Sequence, residues 1–213
     1  MSKSAPESVE LAAMVCSRVC HDVVNPVGAI INGLEVLDEN ADASLREVAF
    51  DLIRKSATQA SAKLQFARLV FGAASSAGAT IDLREAEEVT RGFVDSDKIE
   101  LTWAAYPGAP KKDQVKLLLN LVIIGITCIP RGGSLSVTVT EGDDAPSFLL
   151  KMQGRNARVP EDVKAFLTEA SHPDVTSHNI QPYYARLIAE LAGMKVVIGT
   201  PEDDTVTLTA RAV

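Results

Sequence analysis

The chain has 213 residues, of which 46% are apolar and 23% charged, with a formal net charge of −7. That is enough chain for one or two domains with real cores, and the balance is that of an ordinary soluble protein. The acidic charge weighs against a nucleic-acid binder, which carries a basic face. Three cysteines, Cys16, Cys20 and Cys128, make an odd number in a chain of this size, so reduced thiols are expected rather than a disulfide framework. The opening "MSKSAPESVE" has acids where a signal peptide needs a basic start and an apolar run. The most apolar stretch, Val115 to Ile129, contains Lys116 and Asn120 and is shorter than the ~20 residues of a membrane span. A cytoplasmic protein with no membrane and no nucleic-acid partner is expected.

The first helix is expected from Glu7 to Asp38, on an apolar seam of Ala12, Cys16, Val19, Val23, Val27, Ile30, Leu34 and Leu37. "DENADAS" turns the chain, and Ser44 with Glu47 forms a capping-box pattern for the second helix. That helix runs to Phe71 with Ala49, Leu52, Ser56, Ala60, Leu64, Ala67 and Phe71 on its seam. Two helices alone bury little, and pairing with a second copy as a four-helix bundle is the simplest remedy. The small residues of "GAASSAGAT", 72–80, read as a linker. Two domains are expected, 1–75 and 76–213.

After the linker, strands appear. Asp82 and Glu85 cap a helix to about Asp95, and "KIELTWA" is a strand. Pro110 opens the apolar helix, which ends before Pro130. "SLSVTVT" and "SFLLKMQ" form a hairpin across "EGDDAP". Pro160 opens a further helix, and another spans Gln181 to Ala192, closed by Gly193. "KVVIG" and "TVTLTA" make a last hairpin. The order describes an α/β sandwich, with one mixed sheet and helices packed on it.

Chemistry concentrates at "SRVCHDVVNPVG", residues 17–28. At about 100° per residue, His21 lies about 200° from Val19 and so faces away from the seam. Arg18, Asn25, Gly28 and Asn32 fall near its line. The plain reading is a solvated helix face with a chance histidine. Pro26 argues otherwise, because proline inside a helix costs about 3 kcal/mol or more and strain collects at functional sites. Histidine is also a good neutral nucleophile near pH 7, and Asp22 stands ready to hold its proton.

"HDVVNPVGAI" is similar to the phosphoacceptor box of histidine kinases, which sits on a dimeric hairpin before an ATP-binding α/β sandwich. "VCSRVCHDVVNPVGAIINGLEVLDE", and above all "LAAMVCSRVCHD", resembles the ChpT family of alphaproteobacterial histidine phosphotransferases, over nearly the whole chain from Val9. The resemblance implies an α+β protein: a hairpin forming a dimeric four-helix bundle, then a degenerate histidine-kinase ATPase-like sandwich. Three ATP boxes of the kinases are altered here. The helix that carries two asparagines four apart keeps Asn120 but has Ile124. The Asp-x-Gly-x-Gly box becomes "GRNARVP", with Gly154, Asn156 and Arg158 in its key places. The glycine-rich loop becomes "HNIQPYYARLI", where Pro182 and Tyr183 cannot offer the close backbone N–H groups a phosphate needs. The domain is expected to bind no ATP.

His21 is then expected to accept a phosphoryl group from a receiver-domain aspartate and pass it to a second receiver. The resemblance gives Asp22 the proton-handling role and places Asn25 near the phosphoryl group or a water. Arg18 offsets charge, and Gly28, Ile31 and Asn32 lie under the docked receiver. Mg²⁺ is expected from the receiver, and no cofactor or metal from this chain. In the family the donor is the receiver of a CckA-like hybrid kinase, and the acceptors are CtrA-like and CpdR-like response regulators of the cell cycle. Arg155 and Arg158 have two readings, solvated or touching the partner. Asn120 has a plainer reading as a leftover helix residue, Cys16 and Cys20 read as helix residues rather than metal ligands, and His172 and His178 read as solvated loop histidines. Two other functions stay open: a non-catalytic dimer that sequesters receivers, and a kinase with unusual ATP binding. Phosphatase activity toward a receiver is compatible with the relay.

Overall fold

The computed structural model describes residues 6–39, 42–72, 78–94, 97–143, 145–168, 173–199 and 203–213. Helix α1 (Ser8–Asp38) and helix α2 (Ala43–Phe71) form the expected hairpin. The cap of α2 differs from expectation. Asp42, not Ser44, precedes the first turn and accepts a hydrogen bond from the Leu45 backbone N–H at 2.9 Å. Asp and Ser both cap well, and the aspartate comes first in the chain, so Ser44 falls inside the helix and Glu47 lies beyond the reach of a capping box. Residues 40 and 41 of the turn lie outside the described residues.

The apolar seam of α1 divides in the structure. Its buried positions are Pro26 and Gly33, facing Ala49, Ser56 and Ala60 of α2. These small residues bring the backbones close: a Cβ at Gly33 would stand 2.6 Å from Ile53 Cγ1. Cys16, Val27 and Leu34, expected on the same seam, stay exposed together with Leu52 and Leu64 of α2. The expected stripe is wider than one partner helix covers, so α2 takes one edge of it and leaves the other bare. Helix α1 continues through Pro26, whose ring is buried on the α2 side.

Helix α3 (Leu83–Phe93) is capped by Asp82, which accepts from the Arg84 backbone N–H at 2.8 Å; its expected end, Asp95, lies outside the described residues. Then follow β1 (Ile99–Ala105), α4 (Lys112–Cys128), β2 (Gly133–Thr140), β3 (Ser147–Gln153), α5 (Glu161–Thr168), α6 (Ile180–Ala192), β4 (Met194–Ile198) and β5 (Thr205–Ala212). The sheet order is β1-β2-β3-β5-β4. Strands β1 and β2 pair in parallel across the α4 crossover, and the other pairs are antiparallel. Both expected hairpins form, with Val139 opposite Phe148 and Val197 opposite Thr209. Asp144, in the first of these turns, lies outside the described residues.

Alternation along the strands puts Leu135, Val137, Val139, Phe148, Leu150, Met152, Val206 and Leu208 into one core, where they meet a buried run of α4, Leu117 to Ile124, apolar except for Asn120. The core extends into the hairpin. Phe66, Leu69 and Val70 at the end of α2 are buried in it, and Phe66 stacks on Phe93 with ring centroids 4.0 Å apart. Gly193 ends α6 in the left-handed conformation, φ 63°, as its C′ position requires. Residues 73–77 of the expected linker lie outside the described residues. Among the described residues, no helix is long and apolar enough to cross a membrane.

Candidate phosphoacceptor site

Helix α1 carries three different faces, and their order follows from its rotation of about 100° per residue. One holds Pro26 and Gly33 against α2. The second, on the far side, is apolar and exposed: Val24, Val27, Ile31 and Leu34. With Val19, Cys20, Val23, Gly28 and Leu64 of α2, most of these residues line a groove of about 430 Å³. Between the two runs the polar line of His21, Asn25 and Asn32, all exposed, with half-buried Gly28.

His21 is open to solvent, its side chain 78% exposed. Its Nδ1 stands 3.4 Å from Asp22 Oδ1. The other carboxylate oxygen, Oδ2, accepts from Arg18 Nε at 3.2 Å, and both of these side chains are about three-quarters covered. Asp22 is therefore held from one side by the guanidinium and presents its second oxygen to the imidazole. A carboxylate facing Nδ1 favours the tautomer with the proton there, which leaves Nε2 with its lone pair free and outward. That is the arrangement a nitrogen nucleophile needs. A Cβ built at Gly28 meets nothing within 4 Å, so this glycine leaves open space on the helix surface rather than accommodating a neighbour within the chain. The structure thus brings Arg18, His21 and Asp22 together by contact and aligns Asn25, Gly28 and Asn32 with His21, while Ile31, expected under the docked receiver, lies on the exposed apolar face instead.

Arg155 and Arg158 stand apart, exposed on the loop from β3 to α5. Asp204 fixes that loop: its carbonyl accepts from Gly154 N–H at 3.0 Å and its side chain from Asn156 N–H at 3.1 Å. Asn156 accordingly takes φ 62°, a conformation asparagine tolerates. His178 is exposed, and His172 lies outside the described residues. Cys16 and Cys20 are exposed, while burial pushes the thiol of Cys128 up to about 12.

Two features of the sandwich escaped the sequence reading. Asn120 is wholly buried and is not a leftover: its Nδ2 donates to the Lys116 carbonyl at 2.7 Å, and its Oδ1 accepts from Gln181 Nε2 at 2.6 Å, tying α4 to α6. The segment that replaces the glycine-rich loop is packed. Gln181, Pro182 and Tyr183 are all buried. Tyr183 meets Phe166 edge-on at 5.7 Å, and with Ile180 they form a small apolar cluster against Leu11, Met14 and Val15 of α1. The aromatic pair in "IQPYY" was the available signal, since a glycine-free stretch rich in large side chains is built to be buried.

The outward His21 stands on a helical hairpin that is followed by a five-stranded mixed sheet packed with helices. The family profile described as histidine phosphotransferase C-terminal domain matches residues 83–204. The chain is 45% identical over 201 residues to protein phosphotransferase ChpT of Brucella abortus (strain 2308), covering 93% of this chain and 94% of that protein. A solved structure of a bacterial phosphotransferase superposes with a TM-score of 0.87 at 40% identity, over 99% of this chain and 100% of that one. The chain belongs to the histidine phosphotransferase family.

Proposed function

We propose that this chain relays phosphoryl groups between receiver-domain aspartates through Nε2 of His21. The observation that carries the reading is the open imidazole whose Nδ1 faces Asp22, which is itself held by Arg18. In the forward step the Nε2 lone pair attacks the phosphorus of an aspartyl phosphate. The P–N bond forms as the P–O bond breaks, and the receiver's aspartate leaves as a carboxylate. The Nδ1 proton stays on the ring beside Asp22, which stabilises the positive charge of the phospho-imidazole. The second step runs the same exchange in reverse, with a carboxylate of another receiver as nucleophile. Positioning and charge neutralisation do most of this work. The receiver supplies Mg²⁺, and Asn25 and Asn32 offer amides along the line of approach.

Family membership supports the donor as a CckA-like receiver and the acceptors as CtrA-like and CpdR-like regulators of the cell cycle, in the cytoplasm. ATP has no part in the scheme, a reading supported by the burial of Gln181, Pro182 and Tyr183 and by Ile124 in the core. The working form is a homodimer, a four-helix bundle closed over the exposed apolar face of Val24, Val27, Ile31, Leu34, Leu52 and Leu64.

The test is transfer of label. Incubated with a radiolabelled phospho-receiver, the chain takes up an acid-labile, alkali-stable label, His21→Gln takes up none, and labelled ATP gives none to either. A wild-type chain that binds the receiver and stays unlabelled would reduce it to a sequestering module.

A further inference from the structure

The cluster of Phe166, Ile180 and Tyr183 fixes the second domain on α1 close to the phosphoacceptor. Leu11, Met14 and Val15, which pack against it, lie six to ten residues before His21. At about 1.5 Å and 100° per residue, they stand about 9–15 Å along the axis and about 20–120° round it. By the same rotation Arg18 and Asp22 lie at about 60° and 100° in the same sense. The exposed apolar residues Val24, Val27 and Ile31 lie on the opposite side. The second domain therefore borders one flank of the His21 line.

A domain docked over His21 is large enough to reach that neighbour. A domain of about 100 residues has a radius of gyration near 13 Å, or a radius of about 17 Å as a solid sphere. Centred over His21, it extends past the 9–15 Å that separates His21 from the cluster. Beside the cluster lies the loop 173–179, whose Val175 packs against it. Asn179 shapes this loop: its Oδ1 accepts from Thr176 N–H at 2.7 Å and its Nδ2 donates to the Asp174 carbonyl at 3.0 Å. Thr176, Ser177 and His178 are left exposed on a braced turn.

We propose that the loop 173–179 is a second contact for the receiver that docks on His21, with Ser177 and His178 on the contacting surface and the Tyr183 cluster holding it in place. This rests on the relay reading above. A receiver would thus be held at two places at once, the α1 surface around His21 and the exposed turn 176–178.

A photoreactive benzoylphenylalanine at position 177 of the full chain tests the contact. Irradiated with the receiver that labels His21, it gives a covalent adduct, whereas the same group at Thr138, on the helix-free face of the sheet, does not. No adduct from position 177, or equal adducts from both, overturns the proposal. Kinetics give a second reading. Ser177→Glu and Ser177→Arg change the KM for the phospho-receiver at least threefold in one or both variants, and the change falls on KM rather than kcat. A shift below threefold in both overturns the proposal. If the wild-type chain takes no label from any receiver, the relay reading itself fails, and that result is seen before any variant is made.

Discussion

Asn120 offers the sharpest test of how α4 and α6 are held together. It is wholly buried, Gln181 is 5% exposed, and their side chains are joined at 2.6 Å across 61 residues of sequence. Asn120→Leu keeps the volume but removes the acceptor. The Gln181 amide N–H is then buried with no partner, which costs about 1–3 kcal/mol. The Lys116 carbonyl loses only a side-chain donor. The Oε1 of Gln181 already has no partner, so adding Gln181→Leu removes an orphaned acceptor and an orphaned donor together. Replacing both members of a buried polar pair with apolar groups is often nearly neutral. Urea and thermal unfolding followed by circular dichroism should show Asn120→Leu less stable by about 2 kcal/mol, a fall in Tm of about 4–8 °C for a chain this long. The double variant should recover about half of that loss or more. An Asn120→Leu protein as stable as wild type, or a double variant no more stable than the single, refutes this account of the pair.

Other consequences follow from burial and exposure. Ile31 is 51% exposed on the face assigned to the bundle; Ile31→Glu should raise the dimer Kd at least tenfold by sedimentation, since each copy loses about 1 kcal/mol of apolar burial and adds a charge to desolvate. With a thiol reagent at pH 8, Cys128, at about 12, should react only after unfolding. Burial lowers Lys116 from its ordinary 10.5. The unfolded chain therefore binds the extra proton in the window just below 10.5, and stability lost to this group at neutral pH returns as pH rises through that window. Lys116→Met should raise Tm at pH 7 and lose its advantage toward pH 10.5; a variant that melts below wild type at pH 7 contradicts this.

The parts of the molecule legible in its sequence are those governed by local period. The hairpin, the two strand pairs and the Gly193 stop all follow from spacing and from residues that act on their own neighbours. The outward direction of His21 was legible for the same reason, because a fixed rotation per residue relates it to Val19. What the sequence did not reveal depends on which surfaces meet. The α1 stripe looked single because period cannot say how much of it one helix covers. Phe66, Leu69 and Val70 looked like the tail of a hairpin and entered the sandwich core instead. Asn120 found its use only through Gln181, and Tyr183 only through Phe166 and α1. The contact between Arg18 and Asp22 was within reach, since residues four apart on a helix are neighbours.

Relay through His21 is tested most directly by a complete transfer in one vessel. A phosphorylated donor receiver and an unphosphorylated acceptor receiver are mixed with a small amount of this chain, and the label on all three is followed by rapid quench. Label should reach the acceptor only when the chain is present, an acid-labile adduct on the chain should rise before the acceptor and then fall, and His21→Gln should abolish both. Label reaching the acceptor as fast with His21→Gln as with wild type would contradict it.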